Sequence, residues 1–307
     1  MSPPHEVYFH RARAAHIISS LFQMDKAVVV GAGGGLGKAL MARLPRTFDT
    51  VGLTRRELDI SRRNEVVTCI ADLKPDVVFN AAGFADVDQC ESDRWQAYLV
   101  NRDGAKHLAQ AAFDTGALLV LPSSDLVFDG AKMTPYVEED SPNPLSIYGD
   151  TKLGAELAVM NGAPRHLIVR TGWLFGPFGK SYLTELLGKS KDEEVVFGFD
   201  DQRSQPTYQL DFIDAVVGLI KQQQTGVWHV ASSGEASHFE FARVAFEQLG
   251  RNPAVVKPLR RGAGARSALR PRFSVLDCTK LANTGIRLRP WIEALKAHLG
   301  AAARKQP

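Results

Sequence analysis

Tyr148 and Lys152 stand four residues apart in the run Tyr-Gly-Asp-Thr-Lys. On a helix that spacing puts both on one face, one turn apart. A tyrosine near its reference pKa of about 10 is a poor acid at neutral pH, and a neighbouring ammonium favours the phenolate and lowers that pKa. The lysine can also orient a ribose of a bound cofactor. Ser124 follows the apolar run Ala117–Leu121 and can hydrogen-bond a substrate carbonyl and polarise it. The chemistry these three suit is carbonyl reduction: a nicotinamide supplies hydride to the carbonyl carbon while Tyr148 supplies the proton. A Tyr-x-x-x-Lys pair alone is also common on helix surfaces, so its meaning depends on its surroundings.

Gly31, Gly34 and Gly37 supply the first of those surroundings, at G-x-x-G-x-x-G spacing between an apolar run and a helix-forming one. Glycines there permit a tight turn and let backbone N–H groups at a helix start approach a pyrophosphate. The stricter G-x-G-x-x-G form fails, because its last glycine would fall on Leu36; Gly35 and Leu36 still belong to the expected cradle. An NAD-selective site usually places an acid about 20 residues on. Here Leu53-Thr54-Arg55-Arg56 occupies that place, and the first acids are Glu57 and Asp59. Paired guanidiniums suit a 2′-phosphate, so NADPH is the expected cofactor and NADH the alternative. The other reading of these arginines is a solvated basic loop.

These groups need elements to hold them. Ala27–Val30 reads as a short strand buried on both faces, Thr50–Leu53, Asp76–Phe79 and Ala117–Leu121 as further strands, and His166–Arg170 and Val227–Ala231 as later ones. Between them lie helical stretches: 38–44 closed by Pro45, 62–73 stopped by Pro75, and one long helix over about Glu91–Thr115 with Trp95, Leu99, Leu108, Ala112 and Phe113 at helical spacing. Such alternation demands right-handed crossovers, and so predicts an α/β fold with a doubly wound parallel (Rossmann) sheet. Breaks at Gly176-Pro177, Gly198, Gln222–Gln224 and Arg260–Arg266 predict a smaller, discontinuous substrate-binding domain. The expected division is 24–175 with 205–235 for the dinucleotide, 176–204 with 236–299 for the substrate, and a tail at 300–307. Residues 1–23 carry His5, His10 and His16, Arg11 and Arg13, and the single acid Glu6; they read as an extension outside the fold.

Composition removes several classes. No apolar run approaches the ~20 residues of a membrane span. Lys and Arg total 37 against 34 Asp and Glu, a surplus too small to imply nucleic-acid binding. Cys69, Cys90 and Cys278 lie far apart and read as reduced thiols of a cytoplasmic protein, not as a disulfide framework or metal site.

Several segments resemble the extended short-chain dehydrogenase/reductases, and within them the dTDP-4-dehydrorhamnose reductase family. They are the run Pro75–Gly83, Val87-Asp88 with Glu91, Val100-Asn101, Ser123–Gly130, Tyr148–Glu156, Arg170–Gly176, Asp201-Gln202 with Pro206-Thr207, Gly226–Val230, and Arg270-Pro271 with Ser274–Asp277. The resemblance covers roughly residues 26–295. It implies reduction of dTDP-4-dehydro-L-rhamnose at C4 to dTDP-L-rhamnose, with Ser124, Tyr148 and Lys152 catalytic. It implies cofactor contacts from Gly31, Gly34, Gly35, Leu36, Gly37, Arg55, Asp59, Ile60, Asn80, Ala81 and Ala82 besides Tyr148 and Lys152. It places Ser124 and Asp125 at the substrate, Trp173 near the sugar and Arg270 near the diphosphate. Asn101 either holds a proton-relay water or braces a turn. The family commonly has Thr at the places of Ala85 and Ser124, Tyr at that of Leu126, and a smaller or polar residue at that of Phe273, which leaves the exact sugar open. Magnesium, for which Asp200 and Asp201 are the nearest candidates, and a homodimer also stay open. The alternatives are a reductase or epimerase of another nucleotide-linked 4-keto sugar, and a non-catalytic NADP-binding regulatory subunit. The last expects a damaged Ser/Tyr/Lys set, which is intact here.

The arginine reading carries a test. Arg55→Ala with Arg56→Ala should weaken NADPH binding and leave NADH binding almost unchanged in fluorescence titrations. Comparable losses for both cofactors would mean that these arginines only stabilise their loop.

Overall fold

The computed structural model describes residues 26–188, 195–260 and 268–303. The expectation for residues 1–23 lies outside the described residues, as does most of the arginine-rich stretch ending at Arg266. The chain runs β1 (Lys26–Val30), α1 (Gly35–Arg43), β2 (Asp49–Leu53), α2 (Arg63–Leu73), β3 (Val77–Asn80), α3 (Val87–Ser92), α4 (Arg94–Ala97), a π-helical turn (Tyr98–Asp103), α5 (Gly104–Thr115), β4 (Leu118–Pro122), α6 (Ile147–Gly162) and β5 (His166–Arg170). There follow β6 (Leu174–Phe175), α7 (Tyr182–Gly188), β7 (Val196–Phe199), β8 (Arg203–Ser204), β9 (Thr207–Tyr208), α8 (Gln209–Lys221), β10 (Gly226–His229), β11 (Ala236–Ser237), α9 (His238–Gln248), β12 (Val256–Leu259), α10 (Thr279–Asn283) and α11 (Trp291–Ala303).

Six strands form one parallel sheet in the order β2-β1-β3-β4-β5-β10. Its inner strands are short and mostly β-branched or leucine because both faces are covered, while the edge strands β2 and β10 are only partly buried. In β1, Ala27 and Val29 enter a core with Leu40 of α1 and Leu44 just past its end, Phe212 and Val216 of α8, and Leu281 of α10. Val28 and Val30 point the other way, to Ile70 of α2, Leu108 of α5 and Val159 of α6. This is the doubly wound arrangement that the alternation predicts.

The single long helix expected over Glu91–Thr115 is corrected. Asp93 (φ −123°, ψ 65°) interrupts it and accepts the Gln96 amide, and the π-helical turn follows. The wider turn breaks the 3.6-residue phase, so Trp95 is 77% exposed while Leu108 is buried. Phe113, five residues past Leu108, falls off the inner stripe and is 59% exposed.

A separate apolar cluster joins Phe175, Leu183, Val196, Phe241, Trp291 and Leu295 beside the carboxyl edge of the sheet. Short pairings knit it: β6 with β9, β12 with β7 and β11 with β8. No helix among the described residues is long and apolar enough to cross a membrane.

Behind the sheet's carboxyl edge lies a buried ion pair. Arg170, the last residue of β5, grips Glu156 of α6 through Nε and its second terminal nitrogen, the latter 2.7 Å from Oε2, and Ser123 Oγ donates to Oε1 at 2.5 Å. Removing one partner of such a pair strands a charge, at about 3–5 kcal/mol. Glu156→Ala should lose that much in denaturant unfolding. A loss below about 1 kcal/mol would mean that water or Glu138 takes over the guanidinium.

Candidate active site

The sheet order reverses at β1, whose neighbours are β2 and β3, and a crevice opens beyond the carboxyl ends of these strands. The glycine loop sits there. Gly31 has φ +85°, and a Cβ on it would lie 2.4 Å from the Ala82 nitrogen. Its amide and that of Ala32 both donate to Leu53 O, fixing the loop to the end of β2. A Cβ on Gly37 would stand 2.1 Å from Gly31 O, so this glycine exists for helix-to-turn contact. Gly34 differs: its nearest neighbour would be 3.4 Å away, and it faces the crevice at the start of α1. Among the described residues no side chain caps that start and no acid occupies its first turn, so its amides and the helix dipole suit a pyrophosphate. Gly35 lets the Phe178-Gly179 segment pass close, and Leu36 lines the cleft.

Beside the loop a recess of about 260 Å³ is lined by Gly31, Gly34, Arg55, Asp59, Ile60, Ala81 and Ala82, all expected cofactor contacts. Its shape and apolar floor suit an adenosine. Arg55 is exposed at its rim, 3.8 Å from Asp59, whose carboxylate also accepts from Ser61. Arg56 is exposed and outside the recess lining. Asn80, at the end of β3, keeps a buried Oδ1 with no hydrogen-bond partner among the described residues, an acceptor a bound dinucleotide can satisfy.

The main cleft, about 580 Å³, runs from Gly34 across β3 and β4 to the second cluster. Ser124, Tyr148 and Lys152 all line it. Helix α6 starts at Ser146, whose hydroxyl caps the Gly149 amide, so Tyr148 and Lys152 occupy successive turns as expected. Lys152 Nζ donates to Pro122 O at 2.6 Å. Burial lowers its pKa to about 8, with Glu156 one turn on opposing the shift.

For Tyr148 the expectation of a lowered pKa is corrected. Burial, then the Asp125 carboxylate, push the phenol well above its ordinary value, and a hydrogen bond with Ser124 only partly offsets them. Desolvation of the phenolate outweighs an ammonium already engaged with a carbonyl. The phenol is therefore neutral, the state a proton donor needs.

Ser124 Oγ accepts from Leu126 N and donates to Asp125 Oδ1, both at 3.1 Å. Asp125, expected at the substrate, is buried, and its Oδ2 accepts from Ser204 at 2.5 Å and Ser274 at 2.6 Å. Asn101 braces a turn: its amide bridges the Phe84 N–H and C=O and donates to Thr151 Oγ1. Trp173 stands in the cleft wall, stacked on His238 at 4.3 Å and edge-on to Phe241 at 4.9 Å. Arg270 also lines the cleft, its guanidinium held by both oxygens of Asp88 at 2.8 and 3.1 Å.

Ser204, Arg203 and His238 also line the cleft and were not singled out from the sequence. They lie 79 or more residues from Ser124, and a lone Ser or His carries no pattern that marks a long-range contact. Among the described residues no group of three or more His, Cys, Asp or Glu could hold a metal ion.

The model of the RmlD substrate binding domain matches residues 25–304. A dTDP-4-dehydrorhamnose reductase from Streptomyces griseus is 37% identical over 94% of this chain and 99% of its own. The chain belongs to the dTDP-4-dehydrorhamnose reductase family. Another relative, a dTDP-4-keto-6-deoxy-D-glucose reductase from Streptomyces niveus, is 35% identical over 88% of this chain and 95% of its own. Among solved structures, a dTDP-4-dehydrorhamnose reductase from Bacillus anthracis in complex with NADP superposes with a TM-score of 0.86 at 31% identity, covering 90% of this chain and 98% of that one. The chain is thus an oxidoreductase of this family, on a Rossmann fold.

The glycines separate fold from ligand. Gly37→Ala should destabilise the protein by several kcal/mol, because its neighbour is backbone that cannot move aside. Gly34→Ala should keep the melting temperature and weaken dinucleotide binding. Unchanged binding in Gly34→Ala would remove the pyrophosphate from this loop.

Proposed function

We propose that the chain reduces the C4 carbonyl of dTDP-4-dehydro-L-rhamnose to give dTDP-L-rhamnose, using NADPH. The observation that carries this reading is the convergence of Ser124, Tyr148 and Lys152 in one cleft that continues into the glycine loop. When bound, NADPH supplies the hydride. Ser124 donates a hydrogen bond to the carbonyl oxygen and draws electron density from the carbon. The neutral Tyr148 phenol gives its proton to the oxygen as charge develops there. Lys152 has three N–H donors and spends one on Pro122 O. The others serve the ribose of the cofactor and the phenolate left after transfer. Arg55 and Asp59 hold the adenosine end, Arg270 the substrate diphosphate, and Trp173 the sugar.

The proposed division of labour follows the two cores. Residues 24–175 and 205–235 hold the dinucleotide, and 176–204 with 236–299 the nucleotide sugar, although Leu281 and Leu288 pack under the sheet. Such an enzyme would work in the cytoplasm, where its nucleotide-sugar substrate is made and used.

A second reading keeps the reaction and changes the sugar. Phe84, Ala85, Val87 and Leu126 give the cleft an apolar wall, which leaves fewer polar contacts to fix the configuration of the sugar. The Streptomyces niveus relative is named for a different 4-keto sugar. Parallel kcat/KM measurements on the two dTDP-4-keto sugars decide between them.

Tyr148→Phe should lower kcat by about 10²–10⁴-fold while NADPH binding stays intact. Lys152 carries its charge below about pH 8 and loses it above, so kcat/KM should fall as pH rises through that value. Lys152→Arg, which keeps its charge throughout, should remove that limb from whatever activity remains. A Tyr148→Phe enzyme with most of its kcat would defeat the proton-donor role.

A further inference from the structure

We propose that Gln202 is a specificity-determining residue: its side-chain amide holds a hydroxyl group of the bound sugar at C2 or C3, on the ring edge between the diphosphate and the reacting carbonyl. This inference rests on the carbonyl-reduction reading of the same cleft, with Arg270 at the diphosphate. Gln202 lines the cleft and is only 9% exposed. Its side-chain amide nevertheless has no hydrogen-bond partner among the described residues. The polar side chains that follow it are engaged. Arg203 donates to Glu235 and Glu240, Ser204 donates to Asp125, and both ends of the Gln205 amide meet the backbone of Leu276. Within the run 202–205, Gln202 is the one left for a ligand.

The backbone fixes where that amide stands. Arg203 N donates to Arg272 O and Ser274 N to Arg203 O, so 202–204 runs parallel to 272–274 with Arg203 opposite Phe273. On its other edge β8 pairs with β11. Ser204 and Ser274 stand side by side in this register, and both hydroxyls reach Asp125, which in turn accepts from Ser124. Side chains alternate along an extended chain, so Gln202 faces the same way as Ser204, about 6.6 Å back along the strand. That is also the direction of Arg270, which precedes Arg272, the residue opposite Gln202. Along the cleft the order is therefore Ser124 with Asp125, then Gln202, then Arg270.

A sugar with its C4 carbonyl at Ser124 and its C1 diphosphate toward Arg270 spans this same interval. Its C2 and C3 hydroxyls lie on the edge between those two points. A primary amide offers two N–H donors and a carbonyl acceptor, while each hydroxyl both donates and accepts. Either orientation of the Gln202 amide then makes a bond. The wall of Phe84, Ala85, Val87 and Leu126 offers no polar side chain to compete for these hydroxyls.

The experiment compares wild type and Gln202→Met, a change that keeps the length of the side chain and removes its amide. Each protein, loaded with NADP+, is titrated calorimetrically with dTDP-L-rhamnose and with dTDP. Gln202→Met should bind dTDP-L-rhamnose about 5- to 100-fold more weakly, as expected when a hydroxyl loses its partner in a buried site. Its affinity for dTDP should be unchanged, and its melting temperature should not fall, because the amide has no partner inside the protein to strand. Equal losses for both ligands would place Gln202 at the nucleotide or give it a structural role, and no loss for either would leave it without a ligand; both results overturn the proposal. Analogues of dTDP-L-rhamnose lacking the C2 or the C3 hydroxyl supply the second arm. Removing the contacted hydroxyl should shrink the difference between the two proteins, and a difference undiminished with both analogues overturns the hydroxyl contact. A wild type that reduces no dTDP-4-keto sugar would defeat the parent reading and this one with it, whereas an active wild type with any of the other adverse results defeats this one alone.

Discussion

The ion pair between Glu156 and Arg170 is the constraint on which the site depends. Tyr148, Lys152 and Glu156 follow one another at four-residue intervals along α6, so one helical stripe carries the proton donor, the ammonium and the anchor. Arg170 ends β5 and holds the anchor, while Ser123, also bound to Glu156, ends the connection from β4 one residue before Ser124. Helix, strand and loop are thereby locked at one point. Their reactive members then meet without any direct bond between Lys152 and Ser124. A buried pair is a poor source of stability compared with apolar packing. Here its use is geometric: it fixes α6 against the ends of β4 and β5.

Burial then decides the electrostatics. Lys152 is pushed down to about 8 and Tyr148 above its ordinary value. Both shifts follow from removing charge from water, and both favour neutral forms. The neutral phenol suits the reduction direction, in which it must part with its proton, while the ammonium that receives the remaining phenolate is kept against burial by Glu156. Asp125 and Glu156 bias the two groups the same way, each keeping its neighbour protonated.

Much of this was legible in the sequence because its signals are local. All six strands of the sheet were visible, the inner ones as nearly unbroken apolar runs and the edge strands β2 and β10, only partly buried, as shorter stretches of strand-forming residues. The glycine loop and the Tyr148/Lys152 spacing were visible for the same reason. Three features were not. Asp93 looks like an ordinary helix-surface acid, and only its capping of Gln96 shows the break. The direction of the Tyr148 shift depends on desolvation, which no spacing encodes. Ser204 and Ser274 are unremarkable serines until folding brings them to Asp125, and Arg270 shows its partner Asp88 only across 182 residues. Long-range polar contacts of this kind leave no periodic trace.

The central claim is hydride delivery to C4 of a dTDP-linked 4-keto sugar inside this cleft. It is tested most directly with NADPH deuterated at the transferable position of the nicotinamide, in ordinary water, with NMR of the sugar product. The account predicts one deuterium at C4 of the product, in step with cofactor consumed, and none at its neighbouring carbons. Conversion of the sugar without net consumption of NADPH, with solvent hydrogen entering at C3 or C5, would be epimerase chemistry and would contradict the account.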